Sequence, residues 1–98
     1  MDGPAGRDAD LSPADALAEI RRLIAATEPC LPLAGGDREA SLQREAFRER
    51  RRQARELGRR LAGCCGAEML LLDGDIERLR RALSMSRAFF ASRAARSR

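Results

Sequence analysis

The chain has no histidine, tryptophan or tyrosine, and no lysine, valine or asparagine either. Each absence closes a class of fold or function. Without His or Lys, Ser–His and Cys–His nucleophile pairs and Schiff-base chemistry lack their second member. General acid–base work likewise loses the side chain that titrates nearest neutrality. Without Val or Tyr, and with Ile only at 20, 24 and 76, the strand formers are almost gone. Ala, Leu, Arg and Glu dominate instead, and these are strong helix formers. The expected fold class is therefore all-α, and the expected protein is not an enzyme.

Aromatic residues are nearly missing too: three Phe make up the whole 3%. A chain of 98 residues is one small domain or one rod. A domain of that size buries only about 60–65% of its unfolded surface. A core of Leu and Ala with little aromatic mass is thin, and it invites a partner chain. The carboxylates that occur in pairs, Asp73 with Asp75 and Glu45 with Glu49, read as solvated helix-face charges.

Cysteine is scarce and oddly placed, at 30, 64 and 65. An odd count with a vicinal pair does not form a disulfide framework. Three Cys without His cannot close a four-ligand zinc site within one chain. No metal and no cofactor are expected, and Cys64 and Cys65 read as small apolar residues at a tight helix crossing. The first ten residues carry Asp2, Asp8 and Asp10 rather than an apolar run, unlike a secretory signal. No run approaches the roughly 20 apolar residues of a membrane span. The expected location is cytoplasmic or nuclear.

Four regions emerge along the chain. Residues 1–11 form an acidic leader of Gly, Pro and Asp, expected to be disordered. A short amphipathic helix is predicted over 12–28. Ser12 can cap it, Pro13 suits its first turn, and Asp15 faces its positive end. Leu11 can staple on Ala16, and Leu17, Ile20, Leu23 and Ile24 form the apolar face. Pro29 and Pro32 stop the helix, so 29–36 is expected as a loop. From 37 to 96 the chain has no Pro and reads as a long helical, coiled-coil region, with Asp37 as its cap.

Within that region Cys65, Met69, Leu72, Ile76, Leu79, Leu83, Ser86 and Phe90 alternate spacings of four and three. That is a heptad seam in which Ser86 is the exception. A weaker seam precedes it at Phe47, Arg50, Ala54, Leu57 and Leu61. The step from Leu61 to Cys65 breaks the alternation as a stutter. It falls where Gly63 and Gly66 each weaken a helix by roughly 1 kcal/mol. Two architectures follow: one continuous helix of about 85 Å at ~1.5 Å per residue, or a helical hairpin with a bend or turn near 63–66.

All 19 basic residues are Arg, against 15 acids, for a net charge of +4. Such an exclusive use of Arg marks a compositionally biased sequence, so the arginines are read here for their charge. That total hides blocks. Residues 1–37 hold three Arg and seven acids, and residues 38–60 hold nine Arg and four Glu. Residues 61–77 hold four acids and no Arg, and residues 78–98 hold seven Arg and no acid. A hairpin would set the two basic blocks side by side, so their repulsion points to another chain.

The run Arg48–Arg55 ahead of Leu57 and Leu61 is placed as a basic region ahead of a zipper. It lacks the Asn that reads bases, and Glu45, Glu49 and Glu56 would repel phosphates. No aromatic platform exists for single strands. The expectation is thus a small helical subunit or adaptor of a multiprotein complex that pairs with another helical chain, a second copy or a different protein. Its predicted interface is Leu57, Leu61, Cys65, Met69, Leu72, Ile76, Leu79, Leu83 and Phe90. The alternative is a basic accessory protein making weak, non-specific contact with nucleic acid or anionic lipid through 78–98.

Overall fold

A computed structural model of the chain describes residues 12–64 and 66–96. The acidic leader 1–11, Cys65 with its place in the seam, and the last two residues lie outside the described residues. The described residues are all-helical, with no strand among them.

The first helix, α1 (Pro13–Thr27), starts where its cap chemistry allows. The Ser12 hydroxyl accepts a hydrogen bond from the Asp15 backbone N–H at 3.1 Å, which satisfies a donor the helix leaves open. Ala16, Leu17 and Ile20 are buried along one face. Thr27, also buried, turns its hydroxyl back to the Leu23 carbonyl at 2.7 Å.

Residues expected as a loop instead tighten into a 3-10 helix, Glu28–Ala34. Pro29 sits in its first turn, where no N–H is needed. The segment is pinned from outside. Arg44 donates from Nε and Nη2 to the Leu31 carbonyl, at 3.0 and 2.8 Å, and from Nη2 to the Gly35 carbonyl at 2.6 Å. Gly35, at φ +96°, then redirects the chain through a conformation that a side chain would strain.

Helices α2 (Arg38–Gly63) and α3 (Glu68–Arg96) make up most of the rest. Between them Gly66 takes φ +63°. The two helices lie antiparallel: Arg93 reaches Asp37, Arg50 reaches Ser86, and Arg60 reaches Asp75. The longest dimension is 46 Å, far short of a continuous 58-residue rod at ~1.5 Å per residue. α1 and the 3-10 segment pack against this pair, chiefly on α3.

The core collects the apolar faces of all these elements. Phe47, Ile20, Leu72, Ile76, Leu83 and Phe90 are fully buried, with Leu57 and Leu79 nearly so. Phe47 meets Phe90 edge to face, ring centres 6.2 Å apart and planes at 72°. Phe89 stands edge-on to Phe90 at 5.1 Å and carries the Arg93 guanidinium 4.8 Å above its ring centre.

Candidate interaction surface

The two heptad-spaced seams face each other inside the one chain. Leu57, Leu72, Ile76, Leu79, Leu83 and Phe90 are buried there, and Leu61 is half-buried against them. Met69 stays partly exposed, and Cys65 lies outside the described residues. The two polar members of the seams meet each other. Arg50 of the first donates to the hydroxyl of Ser86 in the second and, at 3.5 Å, to the Ala82 carbonyl. Ser86 is 1% exposed, and Arg50 is the donor its hydroxyl oxygen has among the described residues.

Repulsion between the two basic blocks is relieved within the chain. Arg93 pairs with Asp37 at 2.8 Å and with Glu39 at 2.9 Å, both at the start of α2. The Arg93 hydrogen bond, helped by its charge, holds the Asp37 carboxyl below its ordinary value. Arg80 pairs with Glu77 of its own helix and with Glu19 of α1. Arg78 and Arg81 also pair with carboxylates, Asp75 and Glu77. The basic segment 78–98 therefore spends four of its arginines on ion pairs inside the chain.

What the packing leaves outside is equally informative. At the start of α3, Leu70 and Leu71 are 78% and 70% exposed, beside the part-exposed Met69. Met69 in turn lies against the turn, its Sδ 3.8 Å from Cys64 Sγ. Further along the same helix Met85 is 73% exposed. Leu71, Arg78 and Met85 recur every seven residues, so they share the outer side of α3.

A cleft of about 430 Å³ opens between α1 and α2. Its apolar floor is Ile24, Ala54, Gly58 and Ala62, and Arg21, Arg51, Arg55 and Arg59 rim it with Glu28 as the only acid. The Arg21 guanidinium lies across Gly58, where a Cβ would come within 3.3 Å of Nη2. Arg51 pairs with Glu28 at 3.2 Å, and Arg59 with Glu56 at 3.5 Å. Arg21 and Arg55 have no carboxylate partner among the described residues. A smaller cleft, about 290 Å³, mixes Arg52 and Arg60 with Glu56 and Asp75. A third, about 250 Å³, is bordered by Arg93 and Arg96, but Arg93 is already paired with Asp37 and Glu39.

Comparison with known proteins finds no matching family model, no matching curated protein and no matching solved structure.

Neither surface was assigned from the sequence, although each left a trace there. Leu70, Leu71 and Leu72 are consecutive, and successive helical residues point about 100° apart. Only Leu72 belongs to the seam, so the other two had to face elsewhere. Arg51, Arg55 and Arg59 are spaced by four, which lines them along one side of α2. The missing information was the position of α1, which turns that side into a cleft. Among the described residues no group of His, Cys, Asp and Glu could hold a metal ion. No helix among them is long and apolar enough to cross a membrane.

Proposed function

We propose that the chain is a small, non-enzymatic helical subunit that joins a larger assembly by coiled-coil-like pairing with another helical chain. The observation that carries this reading is the exposure of Leu70 and Leu71, at 78% and 70%, on the outside of α3. Contiguous large apolar side chains facing water mark a surface meant to be covered. Met85, two heptads beyond Leu71, extends that surface along the helix, and Arg78 between them supplies a charge for choosing the partner. A helix laid along this side would bury the leucines at roughly 1.5–3 kcal/mol each.

This reading moves the contact from the seam to the outer side of α3, because most seam residues are already buried within the chain, by α1 and the 3-10 segment as well as by one another. The test separates the two. Light scattering and quantitative cross-linking on the full chain measure assembly, while circular dichroism measures helix content. Leu70→Glu with Leu71→Glu is expected to abolish assembly and leave helix content unchanged. Leu79→Asp, which puts a charge into the chain's own core, is expected to lower both. Assembly that survives the double glutamate variant sinks the outer-surface reading.

A further inference from the structure

The cleft between α1 and α2 has a chemistry that the outer side of α3 does not share. Four guanidinium groups surround a space of about 430 Å³ with a single carboxylate among them. Several arginines elsewhere are answered within the chain: Arg50 by Ser86, Arg80 by Glu77 and Glu19, Arg93 by Asp37 and Glu39. Arg22, Arg38, Arg48 and Arg87 are exposed charges that line none of the three clefts. In the cleft Arg21 and Arg55 have no carboxylate partner among the described residues, and they line it from different helices. Like charges gathered in a concave, partly apolar site raise one another's energy, and an anionic occupant relieves it.

The floor decides which anion. A phosphate backbone needs only the rim and has no use for Ile24, Ala54, Gly58 and Ala62 beneath it. An amphipathic segment uses both, setting apolar side chains on the floor and carboxylates against the arginines. We infer that this cleft docks an acidic amphipathic segment of a partner protein, with Leu-type side chains on Ile24 and Ala54 and Asp or Glu side chains on Arg21 and Arg55. The site is separate from the outer side of α3, so it stands whether or not that surface pairs. Together the two would let one small chain bridge two partners.

Fluorescence anisotropy with a short labelled peptide alternating helical faces of Leu and Glu tests this on the full-length chain. Poly-glutamate and a single-stranded oligonucleotide serve as the comparison probes. The Leu/Glu peptide is expected to bind more tightly than either, with affinity falling as salt rises. Arg21→Ala with Arg55→Ala is expected to weaken it about ten-fold or more, because the two rim charges without a carboxylate partner among the described residues are removed. Both residues are exposed, so the fold persists and circular dichroism checks it. Ala62→Trp, which fills the exposed end of the floor, is expected to weaken the peptide about as much and poly-glutamate hardly at all.

Failure of the peptide to bind at low salt overturns the proposal, as does binding that ignores the double alanine variant. Tighter binding of the oligonucleotide would make the cleft a phosphate site instead. Removing residues 2–11, with their three aspartates, is expected to leave peptide affinity unchanged. A gain of about ten-fold would show the chain's own leader competing for the cleft and would overturn the assignment of that cleft to a partner alone. Leu70→Glu with Leu71→Glu is expected to leave peptide affinity unchanged, so failure of one surface does not carry over to the other.

Discussion

Arg50 and Arg51 are neighbours on α2, and the two sides they serve differ in how charge is treated. Towards α3, the interface is filled: Phe47 meets Phe90, Leu57 and Leu79 are buried, and Arg50 is absorbed by the Ser86 hydroxyl and the Ala82 carbonyl. Towards α1, a cleft is left open, and Arg51 shares its rim with three more arginines. The residue alphabet is the same on both sides. What differs is how completely the guanidinium groups are answered. Arg50 finds acceptors in α3, and on the cleft side Arg51 and Arg59 find Glu28 and Glu56, but Arg21 and Arg55 find no carboxylate among the described residues. Where a partner is found, the arginine serves the fold, because a satisfied polar group can sit beside a core at little cost. Where none is found, the charge remains available to something outside.

The sharpest way to break that contrast is to remove mass from the filled side. Phe90→Ala deletes a fully buried ring that touches both Phe47 and Phe89, and it is expected to cost about 3–5 kcal/mol. Leu71→Ala, on the exposed outer side of the same helix, is expected to change stability by about 0.5 kcal/mol or less. Urea denaturation followed by circular dichroism measures both. Similar losses for the two would mean that α3 does not divide into a core side and a free side.

Arginines provide a finer comparison. Arg50→Ala leaves the Ser86 hydroxyl buried without that donor and removes a long stem from the α2–α3 interface. The expected loss is about 1–3 kcal/mol. Arg55→Ala, at the cleft rim, removes a charge that no carboxylate among the described residues answers. Its expected effect on stability is within about 0.5 kcal/mol. A double-mutant cycle with Ser86→Ala isolates the Arg50 pairing from the loss of the stem. Equal costs at 50 and 55 would remove the distinction between structural and available arginines.

These contrasts bear on how much could be read from residues alone. The all-helical class was legible, because the absence of Val and Tyr left strands without material. The Ser12 cap was legible as well, since its chemistry is local and involves only the next three residues. The 3-10 turn at Glu28–Ala34 was not, because it is held by Arg44 from ten or more residues further on. Asp37 shows the same limit. It is the N-cap residue of α2, as its position in the sequence suggests, but its carboxylate is held chiefly by Arg93 of α3. The alternating charge blocks suggested that antiparallel packing would be repulsive. Counting charge by segment put Asp37 in the acidic first block and averaged Glu39 into a basic one, and so missed that these two carboxylates stand together where α2 begins, within reach of Arg93.

Arg93 gives the smallest and most specific of the expected effects, through pH. Its hydrogen bonds and charge hold the Asp37 carboxyl below the ordinary 3.8, while the Arg80 hydrogen bond, with Arg81 assisting, holds Glu77 below 4.5. A carboxyl whose value is lowered by folding binds protons more readily in the unfolded chain. Its contribution is therefore complete above the unfolded value and is lost as pH falls through that value towards the folded one. Stability is expected to decline as pH drops through 4.5 and to go on declining below 3.8. The two carboxylates differ in reach. Glu77 pairs with Arg80 and Arg81 on its own helix, whereas Asp37 and Arg93 join α2 to α3 across 56 residues of sequence. Arg93→Met keeps an apolar stem of similar length beside Phe89 and removes the guanidinium with its charge. It is expected to flatten the part of the decline below pH 3.8 and to leave the part that begins near 4.5. Urea midpoints measured from pH 6 down to pH 3 test this, and an unchanged slope in the variant would show that the Asp37–Arg93 pair contributes nothing to the α2–α3 contact.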